Sequence, residues 1–221
     1  IYWAVTCRED KLLGLQDYLQ LEGLSLRLVP KIGVGANEAY GIIGSGGVDT
    51  ETAFDNIMTK WKWGNFDKER LHVDRAYLPS LQTMRVSMIR LARQLIVENK
   101  KDKAIALTDK YFEVFPAYNF QYDQFSAFMC DVYVRAGAKD KAAAKIRDIA
   151  NMLEQQMRFY KSLSPRFQQS YQQDNQFAMN TAQNLLGMAD TMKDDALKNE
   201  LNQKFGAYMP TAPSLPGQLP Q

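Results

Sequence analysis

The chain has 221 residues, 46% hydrophobic and 24% charged, with 27 Lys and Arg set against 25 Asp and Glu. At roughly 100–200 residues per domain, this is one large domain or two small ones, with length enough for a real core. A mean hydropathy of −0.38 with 11% aromatics excludes wholesale disorder and collagen-like or mucin-like classes. A formal charge of +2 argues against a nucleic-acid binder, because neutralising phosphates needs a concentrated Lys/Arg excess.

The opening residues IYWAVTC are apolar only as far as Arg8, too short for a membrane span and without the basic start of a signal peptide. No later stretch supplies a span, so no membrane insertion by this chain is expected. The sequence also starts without Met, inside what reads as a strand, which points to a piece of a longer protein. Residues 1–6 and 24–29 alternate with period two and predict strands. Leu12, Leu15, Tyr18 and Leu19 recur at helical spacing between them, so residues 1–47 are predicted to hold a small β-α-β segment and a Gly-rich loop. The glycines of 33–47 lack both the G-K-[ST] ending and the G-x-G-x-x-G spacing of phosphate loops and read as a surface loop. Asp49 or Thr50 can cap the next helix, whose face is Phe54, Ile57, Met58 and Trp61.

From residue 48 to 208 the pattern is helical and repeats. Leu81, Met84, Met88, Leu91 and Leu95 step by three and four; Ala104, Thr108, Tyr111 and Phe115 follow and stop at Pro116. Phe125, Phe128, Met129, Val132 and Tyr133 lead to Gly137, a predicted left-handed cap, before Ala142, Ile146, Ile149, Leu153 and Tyr160. The motif KDKA occurs at Lys101–Ala104 and again at Lys139–Ala142, and Ala92 and Cys130 keep the same offset. A weaker third pair runs through Tyr171, Ala178, Ala182, Leu185 and Ala189, then Leu197, Leu201 and Phe205, with Gly187 where a bulky residue is expected. Small residues at the crossing and large ones beside it give a tetratricopeptide-like pattern, and about three such pairs share a core. The predicted fold class is therefore mainly α, antiparallel helix pairs forming an α-α superhelix with a small N-terminal α/β segment. Residues 209–221 read as a Pro-rich tail.

No catalytic residue, metal site or cofactor is predicted. Cys7 and Cys130 have no metal or redox spacing and read as buried free thiols. His72, the lone histidine, lies in a polar connection. Asp49, Glu51 and Asp55 cluster at a helix start, where the helix dipole favours negative charge; a paired-acid hydrolase would need two of them across a pocket. Tyr118, Phe120 and Tyr122 lie in a loop and either close the turn between repeats or form a stacking surface for a sugar or peptide, with Trp63 as a further exposed aromatic. The candidate binding residues are thus Trp63, Tyr118, Phe120, Tyr122, Asp49 and Asp55. The glutamines of 155–183 read as a solvated helix face.

The segments IYWAVT, GLQDYLQLEGLSLRLVP and GGVDTETAFDNIMTKWKWGN, followed by the KDKA-containing pair, together resemble the C-terminal region of a family of large multi-spanning membrane proteins of Gram-negative bacteria. That family, of unknown function, resembles the protein O-mannosyltransferases. One departure is Gly47, where the family often has Arg before Val-Asp-Thr. The resemblance covers most of residues 1–160. It implies a periplasmic soluble appendage tethered through upstream spans, with the catalytic acids in membrane loops outside this chain. Its expected partners are those spans and a protein or glycan acceptor. The alternatives are a glycan- or peptide-binding module using exposed aromatics, and an enzyme acting through Asp49, Asp55 or His72.

Overall fold

Residues 1–7, 9–30 and 46–209 are described by the computed structural model. The predicted Gly-rich loop falls outside them up to residue 45, and the Pro-rich tail falls outside them from Pro210. The chain divides into two compact units, Ile1–Lys145 and Ile146–Gln221.

The first unit opens with strands β1 (Tyr2–Ala4), β2 (Leu19–Leu21), β3 (Ser25–Leu28) and β4 (Gly47–Val48). They form one sheet in the order β1-β3-β2-β4. β3 is antiparallel to both neighbours, pairing Trp3 with Leu26 on one side and Leu21 with Leu26 on the other; β4 runs parallel to β2, Leu21 opposite Val48. The β-α-β expectation for residues 1–47 is corrected by this topology. No α-helix joins β1 to β3; the described link holds single 3₁₀ turns at Glu9–Lys11 and Gln16–Tyr18 and then β2 itself. Leu13 and Gly14 take positive φ, 57° and 74°, and so break any helix there. The helical spacing of the leucines reflects a shared core instead: Leu12, Leu19, Leu21 and Leu26 form one buried cluster under the sheet.

Gly46 makes the tight entry into β4. Its φ is +74°, and a Cβ there would stand 2.2 Å from the Leu19 carbonyl oxygen. The Gly46 carbonyl accepts a 2.7 Å hydrogen bond from Arg90, which pins the sheet edge to the helices.

Helix α1 (Thr50–Asp55) is capped by Asp49, whose carboxylate accepts from the Thr52 amide at 3.0 Å. It runs on as a π-turn, Asn56–Lys60, and ends where Trp61 turns extended. The Asn56 side-chain amide reaches back to the Glu22 carbonyl at 2.7 Å, so this turn also holds the end of β2. The helices α2 (Leu78–Val97), α3 (Lys101–Val114) and α4 (Gln124–Ala136) follow. Residues 98–100 fold α3 back along α2, with Asn99 at φ 57° and the Lys100 amide donating to Leu95. Gly137 ends α4 at φ 87°, the predicted left-handed cap.

The repeat positions are packed as the pattern requires. Met88, Leu91, Ala92, Leu95, Ala104, Met129, Cys130 and Ala142 are all fully buried, and the Cys130 thiol donates to the Ala142 carbonyl at 3.6 Å. Both cysteines are free.

Helix α5 (Lys139–Ser162) carries the chain into the second unit, where α6 (Pro165–Ser170), α7 (Gln172–Met192) and α8 (Asp195–Phe205) follow. The core of that unit is Ile149, Leu153, Met157, Ala182, Leu185, Ala189, Leu197, Leu201 and Phe205. Ion pairs Arg147–Glu200 and Lys198–Asp190 reinforce it at 2.8 and 2.5 Å. Gly187 is exposed, and a Cβ there would meet nothing within 4 Å, so this departure from the repeat sits off the packed face. The architecture is mainly helical, in helix pairs, with a small N-terminal sheet, the predicted fold class.

Two glycine substitutions should separate these environments in a thermal melt. Gly46→Ala is expected to destabilise by roughly 1–3 kcal/mol, because its backbone clash cannot be relieved by a rotamer change. Gly187→Ala is expected to stabilise by about 0.5–1 kcal/mol, since it adds only helix propensity.

Candidate functional site

The helices of the first unit meet at a buried arginine. Arg85, on α2, donates from Nε to the Tyr111 hydroxyl of α3 at 2.8 Å. Its two terminal nitrogens reach Asp123 at 2.9 and 2.6 Å, and one also reaches Ser126 at 3.2 Å. Asp123 at the same time caps α4, accepting from the amides of Phe125 and Ser126 at 3.0 and 3.2 Å. The guanidinium also lies 5.0 Å from the Phe125 ring centroid and 5.8 Å from that of Phe115. Burial works against its charge, but Tyr111 and Asp123 outweigh that and raise its pKa. Burial pushes the Tyr111 hydroxyl up to about 12, so it stays protonated as a neutral partner.

The predicted loop aromatics separate around this centre. Trp63 is half-buried against Trp61 and Phe115, with ring centroids 5.3 and 6.0 Å away. Phe120 joins the same chain of rings, edge-on to Phe115 at 5.2 Å and to Phe66 at 5.0 Å. Tyr122 turns to the other side of α3 and meets Phe112 edge-on at 5.7 Å. Phe120 and Tyr122 are both buried, which corrects their reading as a stacking surface. The loop after α3 is short and bends inward, so these two rings close the turn between α3 and α4 instead. Tyr118 alone stays open, 47% exposed, while its hydroxyl donates to the Phe66 carbonyl at 3.1 Å. Next to it Asn119 acts as a clamp: its amide nitrogen donates to the carbonyls of Phe66 and Glu69, and its oxygen accepts from the Leu71 amide.

The candidate acids are each engaged locally. Asp49 is the α1 cap, and Asp55 pairs with Lys60 at 2.7 Å. His72 is exposed. Glu51 belongs instead to a charged network between the start of α1 and the α2–α3 turn. Lys100 reaches Glu51 at 2.8 Å and Glu98 at 2.6 Å, Lys103 reaches Glu51 at 2.5 Å, and Thr50 donates to Glu98 at 2.7 Å. Hydrogen bonds from Lys100 and Lys103 hold the Glu51 carboxyl down to about 2, and hydrogen bonds to Glu51 and Glu98 raise the pKa of Lys100. Sequence reasoning does not reach this network, because its members lie about 50 residues apart.

The second unit carries an aromatic cluster at the end of a stripe that periodicity assigns to the core. Phe159 and Tyr160 at the end of α5 meet Tyr171 with ring centroids 5.9 and 5.6 Å away, the two tyrosines stacked at 27°. Phe159 is 50% exposed and Tyr171 38%. The signal available in the sequence is their setting among the glutamines of 155–183, which read as a solvated face.

Among the described residues, no group of three or more His, Cys, Asp or Glu is arranged to hold a metal ion, and no helix is long and apolar enough to cross a membrane. Comparison with protein families, with curated proteins and with solved structures returned no match.

Two measurements follow from these networks. In urea unfolding, Asp123→Asn and Asp123→Ala should both destabilise, since each leaves Arg85 without its charge partner. The alanine should cost about 1 kcal/mol more, the value of the lost cap, because Asn still caps a helix. For the ion network, the lowered folded-state pKa of Glu51 means that the unfolded chain binds more protons as acid is added. Its contribution is present above the ordinary glutamate value of 4.5 and is lost as pH falls toward about 2. Glu51→Gln should therefore flatten the rise of Tm with pH within that window.

Proposed function

We propose that this chain is a non-catalytic recognition domain of a membrane-bound, glycosyltransferase-like protein, facing the periplasm and helping to engage an acceptor or partner. The observation that carries this reading is the pairing of repeated helices at Ala104 and Ala142, each fully buried behind a KDKA start. Helical repeats of this kind present extended surfaces to partners. The local engagement of Asp49 as a cap and Asp55 in an ion pair also supports it, because neither carboxylate is left poised for acid–base work. The order of sequence blocks supplies the link to a membrane-bound transferase. A sugar site built on Trp63, Tyr118, Phe120 and Tyr122 has less support, since two of the four rings face the core.

The deciding experiment is to sequence the source DNA upstream of the Ile1 codon to the start of its open reading frame. Several apolar stretches of about 20 residues, with acidic residues in an early loop, are the expected result. A start codon or a lone signal peptide directly upstream would overturn the proposal.

A further inference from the structure

In the second unit, the end of α5 and the start of α7 form an open aromatic notch. Tyr160 and Tyr171 stack at 27°, and Phe159 stands at 80° to Tyr171 and 58° to Tyr160, a wall beside the tyrosine pair. Phe159 and Tyr171 are both exposed. The Gln168 side-chain amide donates to the carbonyls of Lys161 and Leu163, at 3.2 and 2.8 Å, and so ties α6 to the end of α5. The described chain leaves from that same helix end. Lys161 donates to the Ala207 carbonyl at 3.1 Å, and its ammonium lies 5.6 Å from the Tyr208 ring centroid. The amides of Tyr208 and Met209 both donate to the Phe205 carbonyl, at 2.9 and 3.1 Å. Residues 207–209 are thus anchored at the last turn of α5, and residues 210–221 continue from that point.

We propose that the Pro-rich segment 210–221 docks on this notch within the same chain, with Pro213 and Pro216 against Phe159, Tyr160 and Tyr171. The inference goes beyond the recognition-domain reading and does not depend on it. Composition supports it first: PTAPSLPGQLPQ carries four prolines and no charged side chain. Pro210, Pro213 and Pro216 recur every three residues, the period of a polyproline II helix, so in that conformation they share one edge. Such an edge seats in aromatic-lined grooves, and rings set at an angle to one another supply the walls. Reach agrees as well. Phe159 precedes Lys161 by two residues, about 200° round the helix, so the segment has to cross the end of α5, a width of about 10–12 Å. At about 3.1 Å per residue, four residues beyond Met209 cover that width, which brings Pro213 to the rings and Pro216 past them. Charge does not oppose the docking. From Pro165 to Gln183 the only charged side chains are Arg166 and Asp174, of opposite sign and both exposed, so the site favours neither an acidic nor a basic occupant. Tethering supplies the rest, because a linked segment meets its site at an effective concentration on the order of millimolar.

The test uses the full chain, isotopically labelled, and reads nuclear Overhauser contacts between proline ring protons and aromatic ring protons. Contacts from Pro213 and Pro216 to Phe159, Tyr160 or Tyr171 are expected, and they should persist on roughly tenfold dilution, because tethering does not depend on concentration. Phe159→Ala and Tyr171→Ala should each weaken the remaining contacts several-fold, and Tyr77→Ala, in the first unit, should leave them unchanged. Should a ring variant melt early, the full chain carrying Pro213→Ala and Pro216→Ala together decides, since both changes lie beyond α8. There the contacts should be lost and the Phe159, Tyr160 and Tyr171 resonances should shift, while those of the buried Phe205 stay in place. Absence of the contacts, or ring resonances unmoved in the double proline variant, would overturn the inference. So would contacts that form only between differently labelled chains, which put a second copy on the rings.

Discussion

The first unit turns on the Arg85–Asp123 pair. A guanidinium inside a helical core is tolerable only if its donors are met, because an isolated buried charge costs several kcal/mol. Here Arg85 directs its donors to Tyr111, Asp123 and Ser126, and its faces to Phe115 and Phe125. Those partners come from α3, from the turn after it and from the start of α4, so satisfying one side chain sets α2, α3 and α4 against one another. Asp123 is doubly committed, since the carboxylate that neutralises Arg85 also satisfies the first amides of α4. Helix position and helix start are thereby settled by one residue, and the apolar stripes then pack around a register already chosen.

The irregular segments of the same unit follow a similar logic on a smaller scale. Residues 61–77 have little regular structure, so their backbone polar groups need partners from elsewhere. Asn119 supplies three of them at once, and Tyr118 adds a second donor to the Phe66 carbonyl. That is why the loop after α3 is rich in aromatic and amide side chains: its rings fill the gap between helices, and its amide holds the neighbouring segment. The aromatic density that suggested a ligand surface is, in the first unit, mostly the packing of this junction. In the second unit the same residue types at helix ends are left in solvent.

Much of the helical body could be read from the chain. The stripes through Met88, Leu91 and Leu95 and through Ile149 and Leu153 are buried as the 3.6-residue period requires, and Gly137 takes the left-handed cap. The repeat of KDKA at a fixed offset located the second helix of the first two pairs. The N-terminal sheet was harder, because period-two runs identify strands without saying which pair, and leucines of a turn can mimic a helical stripe. The candidate site was the least legible part. A tyrosine at a helix end has the same sequence signature whether it is roofed over, as Tyr122 is, or open, as Tyr171 is.

By itself the sequence determined the helix faces and the Gly137 cap, since these depend on contacts within a few turns of one chain segment. It also determined the near-neutral net charge. Only the tertiary structure decided that β1 and β3 run antiparallel, that Glu51 joins Lys100 and Lys103, and that Arg85 is answered by Asp123. It alone decided which aromatic rings remain in water. Those outcomes depend on residues tens of positions apart meeting in space, and burial is a property of the meeting rather than of either residue.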